Sequence, residues 1–325
     1  MKPSVFFVKV LRKVYRKFFS KTVNNRVEHP EMFDPQYASD HIYSLLASDK
    51  PCMIARFGST ELSCLLNYMS VKSHKHQYIK YIKGEVSDWW WNEKYMGYMK
   101  NNAGFFPVDE EHLSRFGELM IEDIKQLDLL GSWIPEEEKI ALGENNSIVK
   151  VRLLLLEPYW GTQPWTRALK GKKVLVVHPF APLIEKQYRE HRKKLFENPD
   201  VLPAFELQTI QAVQSIGGET NGFHDWFEAL QWMKDEIDKR DYDIALIGCG
   251  AYGFPLAAYV KRQGKKAVHL AGALQLLFGI KGKRWETPNY SADYNYTQLF
   301  NDYWVSPDAS LKPKNADQVE GACYW

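Results

Sequence analysis

An arginine and a glutamate stand five residues apart where a short apolar run passes into a helical pattern. Arg56 lies in the run Met53–Phe57, and Gly58, Ser59 and Glu61 follow it. A guanidinium can bind phosphate oxygens through a bidentate fork, and a carboxylate can act as a general base on a hydroxyl or help to hold a metal. The structural alternative is a helix N-terminus where a hydroxyl residue caps, the glutamate faces the helix dipole and the arginine pairs with it. Both interpretations stay open.

A glycine-rich turn follows the apolar run Ile244–Ile247 with the spacing G-x-G-x-x-G. In this turn, Gly248–Gly253, the glycines allow a tight bend and close backbone approach, and the following helix offers unpaired N–H groups to a phosphate. A dinucleotide-binding domain also needs Asp or Glu about 20 residues further on to bind the ribose. The chain has His269 in that region. The pattern therefore favours another diphosphate ligand over NAD, with a purely structural turn as the alternative.

Basic and aromatic residues near two other strand ends could also bind a ligand. His178 closes an apolar run and could bind phosphate or act as a base, although a histidine satisfied within the fold is the alternative. The last apolar run leads through Gln275 to a compact basic loop. There Lys283 and Arg284 could neutralise a diphosphate and Trp285 could stack on a base or sugar, whereas a solvated basic turn is the structural alternative.

Short β-rich runs alternate with helical patterns along the chain, which predicts an α/β fold: a Rossmann-like parallel sheet flanked by helices. Residues 72–142 predict a helical insertion after the first strand, with Asp109 as the N-cap of one helix. The last forty or so residues are rich in Tyr, Trp, Asn, Asp and Pro and predict an irregular C-terminal arm. We expect residues 28–325 to form a single domain. The predicted strands are Met53–Phe57, Val151–Leu156, Val174–His178, Ile244–Ile247 and Ala267–Leu270.

Composition and charge narrow the class of protein. The chain has 325 residues, 45% apolar and 25% charged, which is typical of a folded globular protein. Residues 1–27 carry eight Lys or Arg and no acid, so the remainder has 34 basic against 40 acidic residues. A net-negative body argues against nucleic acid as a partner. No apolar run is long enough to span a membrane. Four cysteines without CxxC spacing predict neither a disulfide framework nor a cysteine metal site, and they fit a cytoplasmic location.

The first 27 residues predict a basic amphipathic helix. Such a helix can lie in the interface of an anionic membrane, which predicts peripheral attachment. The alternative is that its apolar stripe packs on its own domain or on a partner protein. The predicted apolar side holds Phe7, Val10, Leu11, Val14, Tyr15 and Phe18, and the opposite side holds Lys9, Arg12, Lys13 and Arg16.

Six segments of the chain share the pattern of one family: Ala55–Leu62, Asn102–Pro107, Ala212–Ile216, Gly248–Gly253, Leu276–Gly282 and Glu320–Trp325. Through them, over most of residues 35–325, the chain resembles bacterial glycosyltransferases of the GT-D fold type. The resemblance implies a Rossmann-like domain that binds a nucleotide-diphosphate sugar and transfers the sugar to a glycan, lipid-linked or glycoprotein acceptor, typically in surface polysaccharide or adhesin assembly.

The chain departs from the family pattern at the first strand end. The family places Asp-x-Glu there, and its two acids serve the nucleotide sugar and a divalent metal, Mn²⁺ or Mg²⁺. Ser59 stands in the position of the Asp, so only Glu61 remains. One carboxylate is a poor anchor for either metal, and metal dependence stays open. Arg56, Lys283 and Arg284 could instead stabilise the departing diphosphate.

The sequence therefore predicts a nucleotide-sugar glycosyltransferase with Glu61 as the catalytic residue, located in the cytoplasm at the inner membrane face. Two alternatives stay open. A dinucleotide-dependent oxidoreductase would use the same glycine turn, and a non-catalytic subunit of a polysaccharide assembly complex would not need Glu61. The predicted substrate-binding residues are Arg56, Gly58, Ser59, His178, Gly248, Gly250, Tyr252, Gly253, Gln275, Lys283, Arg284 and Trp285.

Overall fold

The computed structural model describes residues 3–19, 29–73, 77–140, 148–288, 290–308, 311–313 and 323–325. Within them, seven strands form one sheet: β1 (Cys52–Ala55), β2 (Leu129–Ser132), β3 (Val149–Arg152), β4 (Lys173–His178), β5 (Glu206–Gln211), β6 (Ile244–Ile247) and β7 (Lys266–His269). Their order is β3-β2-β1-β7-β6-β4-β5, and every neighbouring pair is parallel. The predicted α/β class and Rossmann-like parallel sheet are confirmed.

Helices cover both faces of this sheet, so the central strands β1 and β6 are apolar and buried along their whole length. The helices are α1 (Pro3–Phe18), α2 (Pro35–Ala47), α3 (Ser59–Lys72), α4 (Tyr78–Lys83), α5 (Glu93–Asn101), α6 (Glu110–Ile124), α7 (Ala181–His191), α8 (Trp226–Asp238), α9 (Gly253–Arg262), α10 (Leu274–Leu277) and α11 (Lys283–Glu286). Consecutive residues of β1 alternate between two cores: Met53 belongs to the core with α3, α6, α8 and α9, and Ile54 belongs to the core with α2 and α7.

Local signals place several helix ends. The Asp109 side chain accepts the backbone N–H of His112 at 2.9 Å, so the predicted N-cap of α6 is confirmed. Leu113, Phe116 and Met120 on that helix are buried, as their spacing indicates. The helix α3 begins directly after Gly58, which brings the first turn of the helix to the end of β1.

Two strands were missed by the sequence prediction. The strand β2 has only four residues and lies within 72–142, so this segment contributes to the sheet as well as containing helices. The strand β5 lies at an edge, and only Ile210 in it is fully buried, so its apolar pattern is weak. The predicted strand Val151–Leu156 was too long, because β3 ends at Arg152 and Leu153–Leu156 form a 3₁₀ turn.

The two ends of the chain are partly described. The predicted basic helix is present as α1, and residues 20–28 that follow it lie outside the described residues. None of the described helices combines the length and the apolar character that crossing a bilayer requires. The C-terminal segment is irregular apart from short turns, as predicted, and residues 314–322 lie outside the described part.

Candidate active site

A cavity of about 720 Å³ opens at the carboxyl edge of the sheet. Residues that follow all seven strands line it, because the carboxyl ends of parallel strands meet at one edge. This is the crevice where open α/β sheets bind ligands. From β1 to β7, the lining at the last residue of each strand or shortly after it includes Arg56, Trp133, Arg152, His178, Ser215, Gly248 and Ala271.

Glu61 sits in the first turn of α3, directly above the glycine that precedes the helix. A Cβ atom added to Gly58 would lie 1.9 Å from Oε2 of Glu61, so the carboxylate occupies the space that a side chain at Gly58 would fill. The positive end of the helix dipole favours a negative charge at this place. The missing side chain at Gly58 therefore lets Glu61 fold over the end of β1 and line the cavity.

Arg56 is positioned by an indole ring. Its guanidinium carbon lies 5.2 Å from the centre of the Trp133 ring, a cation–π contact. Trp133 in turn donates its indole N–H to the backbone oxygen of Phe57 at 2.9 Å, and its backbone N–H donates to Glu137 at 3.2 Å. Because both the backbone and the indole of Trp133 are hydrogen-bonded, its ring has a fixed position against which the Arg56 guanidinium stacks at the cavity edge.

The three glycines of the turn after β6 have different roles. A Cβ at Gly248 would lie 2.5 Å from the backbone oxygen of Ala271, so glycine permits the close approach of the loops after β6 and β7. Gly250 has a φ of +57° and is exposed on the cavity lining. A Cβ at Gly253 would lie 2.1 Å from the imidazole of His269, so this glycine packs α9 against β7 and does not line the cavity.

Tyr252 belongs to the floor of the cavity. Its hydroxyl lies 2.9 Å from Oγ of Ser215, which donates its own proton to the backbone oxygen of Gly104 at 2.6 Å. The Tyr252 hydroxyl is therefore the donor in the first bond. Its ring stacks on Trp226 with centroids 4.7 Å apart, and the residue is 2% exposed. The Tyr252 ring therefore packs on Trp226, and its hydroxyl is held by Ser215 on the cavity lining.

His178 is buried, and its Nδ1 accepts the backbone N–H of Phe180 at 3.0 Å. Burial lowers the pKa of His178 to about 3. The ring is therefore neutral, and since Nδ1 accepts, the proton is on Nε2. His178 can donate a hydrogen bond to a ligand oxygen but cannot act as a base near neutral pH. Burial, reinforced by the charge of Arg56, likewise lowers the pKa of His269 to about 3.

Tyr324 contacts two other residues of the cavity lining, Arg284 and Gln275. Nη1 of Arg284 donates to the Tyr324 hydroxyl at 3.0 Å, and the guanidinium carbon lies 4.4 Å from the centre of the Tyr324 ring. Gln275 donates its side-chain N–H to the backbone oxygen of Tyr324 at 3.2 Å. Among the described residues, no group hydrogen-bonds to Oε1 of Gln275, which is fully buried on the lining. This oxygen is an acceptor that a ligand N–H or O–H could satisfy.

The structure gathers most of the predicted site residues and leaves three away from the lining. Lys283 is exposed, and Trp285 is 1% exposed with its ring against Tyr290 and Tyr324. Their placement on α11 does not support ligand contacts, because only Arg284 of that short helix faces the cavity. Gly253 is the third. The predicted residues on the lining are Arg56, Gly58, Ser59, Glu61, His178, Gly248, Gly250, Tyr252, Gln275 and Arg284.

Sequence reasoning missed other residues of the lining. Trp133 follows β2 and Ser215 follows β5, the two strands that the sequence did not predict. Arg152 ends β3 and forms an ion pair with Asp293. A charged residue next to an apolar run could have indicated Arg152 as a strand end. The predicted strand Val151–Leu156 instead placed Arg152 inside the strand.

The donor atoms at the cavity do not fit a protein-held divalent metal. Glu61 is the only acidic side chain of the described lining, and Nδ1 of His178 is already an acceptor for Phe180. No group of three or more His, Cys, Asp or Glu in the described part of the chain is arranged to hold a metal ion. Mn²⁺ and Mg²⁺ require several oxygen ligands, which the side chains of the described lining do not supply.

Comparison of the chain with protein-family models, with curated proteins and with solved structures finds no match. The Rossmann-like fold by itself is compatible with many chemistries. The function must therefore be argued from the side chains that the fold brings to the cavity.

Proposed function

We propose that the protein is a glycosyltransferase that moves a sugar from a nucleotide-diphosphate donor to a hydroxyl of a glycan, lipid-linked or glycoprotein acceptor. The observation that carries the proposal is the charge of the cavity: Arg56, Arg152 and Arg284 line it together with one acidic side chain, Glu61. An anionic ligand compensates this excess of guanidinium groups. The cavity volume of about 720 Å³ lies within the range of small-molecule sites.

Two of these arginines suit the diphosphate best. Burial raises the pKa of the Tyr290 phenol, while the charges of Arg284 and Arg56 both oppose that shift. Both guanidinium groups therefore lie within electrostatic reach of one phenol on the lining. Arg152 already pairs with Asp293. The arrangement supports a diphosphate held between Arg56 and Arg284, with the exposed Gly250 turn beside it.

Neutral groups complete the donor site. The N–H at Nε2 of His178 can donate to a phosphate or sugar oxygen. The buried Oε1 of Gln275 can accept from an N–H of the base or from a sugar hydroxyl. A site whose buried acceptor is satisfied only by the ligand discriminates strongly against ligands that lack the donor.

The chemistry assigned to Glu61 is general-base catalysis. The bond between C1 of the sugar and the phosphate oxygen breaks, and the nucleoside diphosphate leaves with the electron pair. The acceptor hydroxyl oxygen forms the new bond to C1 while the Glu61 carboxylate takes its proton. Arg56 and Arg284 stabilise the charge that develops on the leaving diphosphate. We place this reaction in cell-surface polysaccharide assembly, on the cytoplasmic side of the membrane, as the family resemblance implies.

A thermal-shift panel tests the donor site. The purified chain is heated with UDP, GDP, CMP and TDP, their common sugar conjugates and NAD(P), each with and without Mn²⁺. A ligand at 100 times its Kd adds about 2.7 kcal/mol of stability, which gives a clear rise in Tm. We expect one nucleoside diphosphate to stabilise the chain without Mn²⁺. Stabilisation by NAD(P) alone would move the assignment to the oxidoreductase.

Glu61→Gln tests the catalytic role. We expect this variant to keep the nucleotide-induced rise in Tm and to lose sugar transfer. The matched control is Glu110→Gln, which changes an acid in the first turn of α6 away from the cavity and should retain transfer. Wild-type turnover by Glu61→Gln would remove Glu61 from the mechanism.

One observation favours a second candidate, a non-catalytic subunit of a polysaccharide assembly complex. Glu61 is the third residue of α3 and lies over Gly58, which is also the place of a carboxylate that only stabilises a helix N-terminus. In that case the wild-type chain would bind nucleotide but show neither sugar transfer nor hydrolysis of the donor. Glu61→Gln would then lower Tm, and there would be no sugar transfer in the wild type for it to remove.

A further inference from the structure

The first helix docks on the domain through the buried Val8 and through basic side chains beside it. Nζ of Lys9 lies 5.0 Å from the centre of the Trp90 ring, and the guanidinium carbon of Arg12 lies 4.4 Å from the centre of the Tyr81 ring. Arg12 also lies 3.9 Å from the carboxylate of Asp88. These cation–π and charge contacts fix which side of α1 faces the domain.

The opposite side of α1 is apolar and exposed to solvent. Among the described residues most of the stripe is exposed and does not pack on the domain, whereas packing on a partner protein stays an open alternative. Tyr15, which was predicted on the apolar side, is half-buried, and Phe6 is exposed beside the stripe. The exposed apolar side chains and their exposures are Phe6 57%, Phe7 70%, Val10 45%, Leu11 44%, Val14 46% and Phe18 69%.

Basic side chains accompany this surface. Lys13, Arg16 and Lys17 are exposed on the same helix, and residues 1–27 contain no acid. A second copy of the helix would bring like charges together, so charge disfavours self-association through this surface. Large apolar side chains bordered by cations are complementary to a bilayer interface whose headgroups are anionic.

We propose that the exposed side of α1, from Phe6 to Phe18, binds the surface of an anionic bilayer while Lys9 and Arg12 keep the opposite side docked. The apolar side chains enter the boundary between headgroups and acyl chains, and Lys13, Arg16 and Lys17 contact the headgroups. The helix thus joins the domain to the membrane without leaving its docked position.

Vesicle co-sedimentation of the full chain tests the proposal. The vesicles contain phosphatidylcholine with or without phosphatidylglycerol. We expect wild-type protein to bind the anionic vesicles at least tenfold better than the neutral ones. The double substitution Phe7→Ser with Leu11→Ser should weaken binding at least tenfold without changing Tm, because both side chains are exposed. Lys13→Gln with Lys17→Gln should reduce the preference for anionic vesicles.

The matched control is Trp232→Ser on α8, since Trp232 is 39% exposed and Leu11 is 44% exposed. This control should bind vesicles like the wild type. Equal binding by the Phe7 and Leu11 double variant, or no binding to either vesicle by the wild type, would overturn the proposal. Oligomerisation in solution that the double variant abolishes would also overturn it and assign the surface to a second copy of the chain.

Discussion

The substitution Gly58→Ala moves the Glu61 carboxylate while leaving its chemistry intact. The added methyl would lie 1.9 Å from Oε2, whereas ordinary contacts to a Cβ begin at 3.4 Å, so this oxygen must move by about 1.5 Å. The clash is with the end of a flexible side chain, and the φ of −75° at Gly58 suits alanine. Alanine lowers the conformational entropy of the unfolded chain, which raises the free energy of unfolding by about 0.4–1 kcal/mol. This gain offsets the loss that arises because alanine is a weaker N-cap than glycine. Stability should therefore change by less than about 1 kcal/mol.

Activity should respond far more strongly than stability. A misplacement of about 1 Å in a catalytic group can lower the rate by about 100-fold. We therefore expect Gly58→Ala to lower kcat of sugar transfer by about 100-fold, with the Kd for nucleoside diphosphate changed less than threefold or so, since the carboxylate is not a phosphate ligand. Steady-state transfer assays, calorimetric titration with the nucleotide and thermal unfolding measure the three quantities.

Gly97→Ala is the matched control, because nothing lies within 4 Å of a Cβ at Gly97 on α5. It should transfer sugar like the wild type and be slightly more stable. Wild-type kcat for Gly58→Ala would refute the idea that the position of Glu61 sets the rate. A large loss of stability would instead show that the carboxylate is held in place and cannot yield to the methyl group.

Three further predictions concern charge and hydrogen bonding. Burial raises the pKa of Glu157 to about 8, from an ordinary value of 4.5, so between these pH values the folded chain keeps a proton that the unfolded chain loses. The contribution of the protonated Glu157 to the free energy of unfolding is complete below pH 4.5 and should fall by about 1.4 kcal/mol per pH unit up to pH 8. Urea unfolding of Glu157→Gln should lack this fall. Tyr324→Phe removes the hydrogen bond that orients Arg284, so it should raise the Kd for nucleotide about three- to tenfold in calorimetry and also lower kcat, because Arg284 stabilises the leaving diphosphate in the proposed reaction. Arg56→Lys loses the bidentate fork and the contact with Trp133, so the same titration should show a Kd for nucleotide that is higher by about tenfold or more. An unchanged Kd would show that the diphosphate does not bind at Arg56.

The site residues that could be predicted from the sequence directly follow strands with a continuous apolar run. The four residues of β1 and of β6 are all buried, so their apolar runs marked both strands and the turns after them. Arg56, Glu61 and Gly248 were found for this reason. The strand β5 has one fully buried residue, so its sequence lacks such a signal, and Ser215 beyond it was missed.

Side-chain direction on short elements could not be predicted from sequence. Lys283, Arg284 and Trp285 are consecutive, and a basic aromatic loop favours all three as ligand contacts. On the four-residue helix α11 they point to solvent, to the cavity and to the core in turn. Whether a residue of such a turn faces a ligand depends on tertiary contacts, here those of Tyr324 with Arg284 and Trp285.

Under the proposed function, Ser59, which stands where the family that the chain resembles has Asp, and the arginines of the cavity belong to one arrangement of charge. A divalent metal needs several anionic or polar oxygens, and a second acid beside Glu61 would supply part of them. In the proposed reaction the positive charge that a diphosphate requires comes from the chain itself, from Arg56 and Arg284 on the lining. A guanidinium that stacks on an aromatic ring is oriented before a ligand binds, and Arg56 lies against Trp133 and Arg284 against Tyr324 in this way. Preorganised cations of this kind would stabilise the leaving diphosphate of the proposed reaction without a metal, while Glu61 would take the proton of the acceptor.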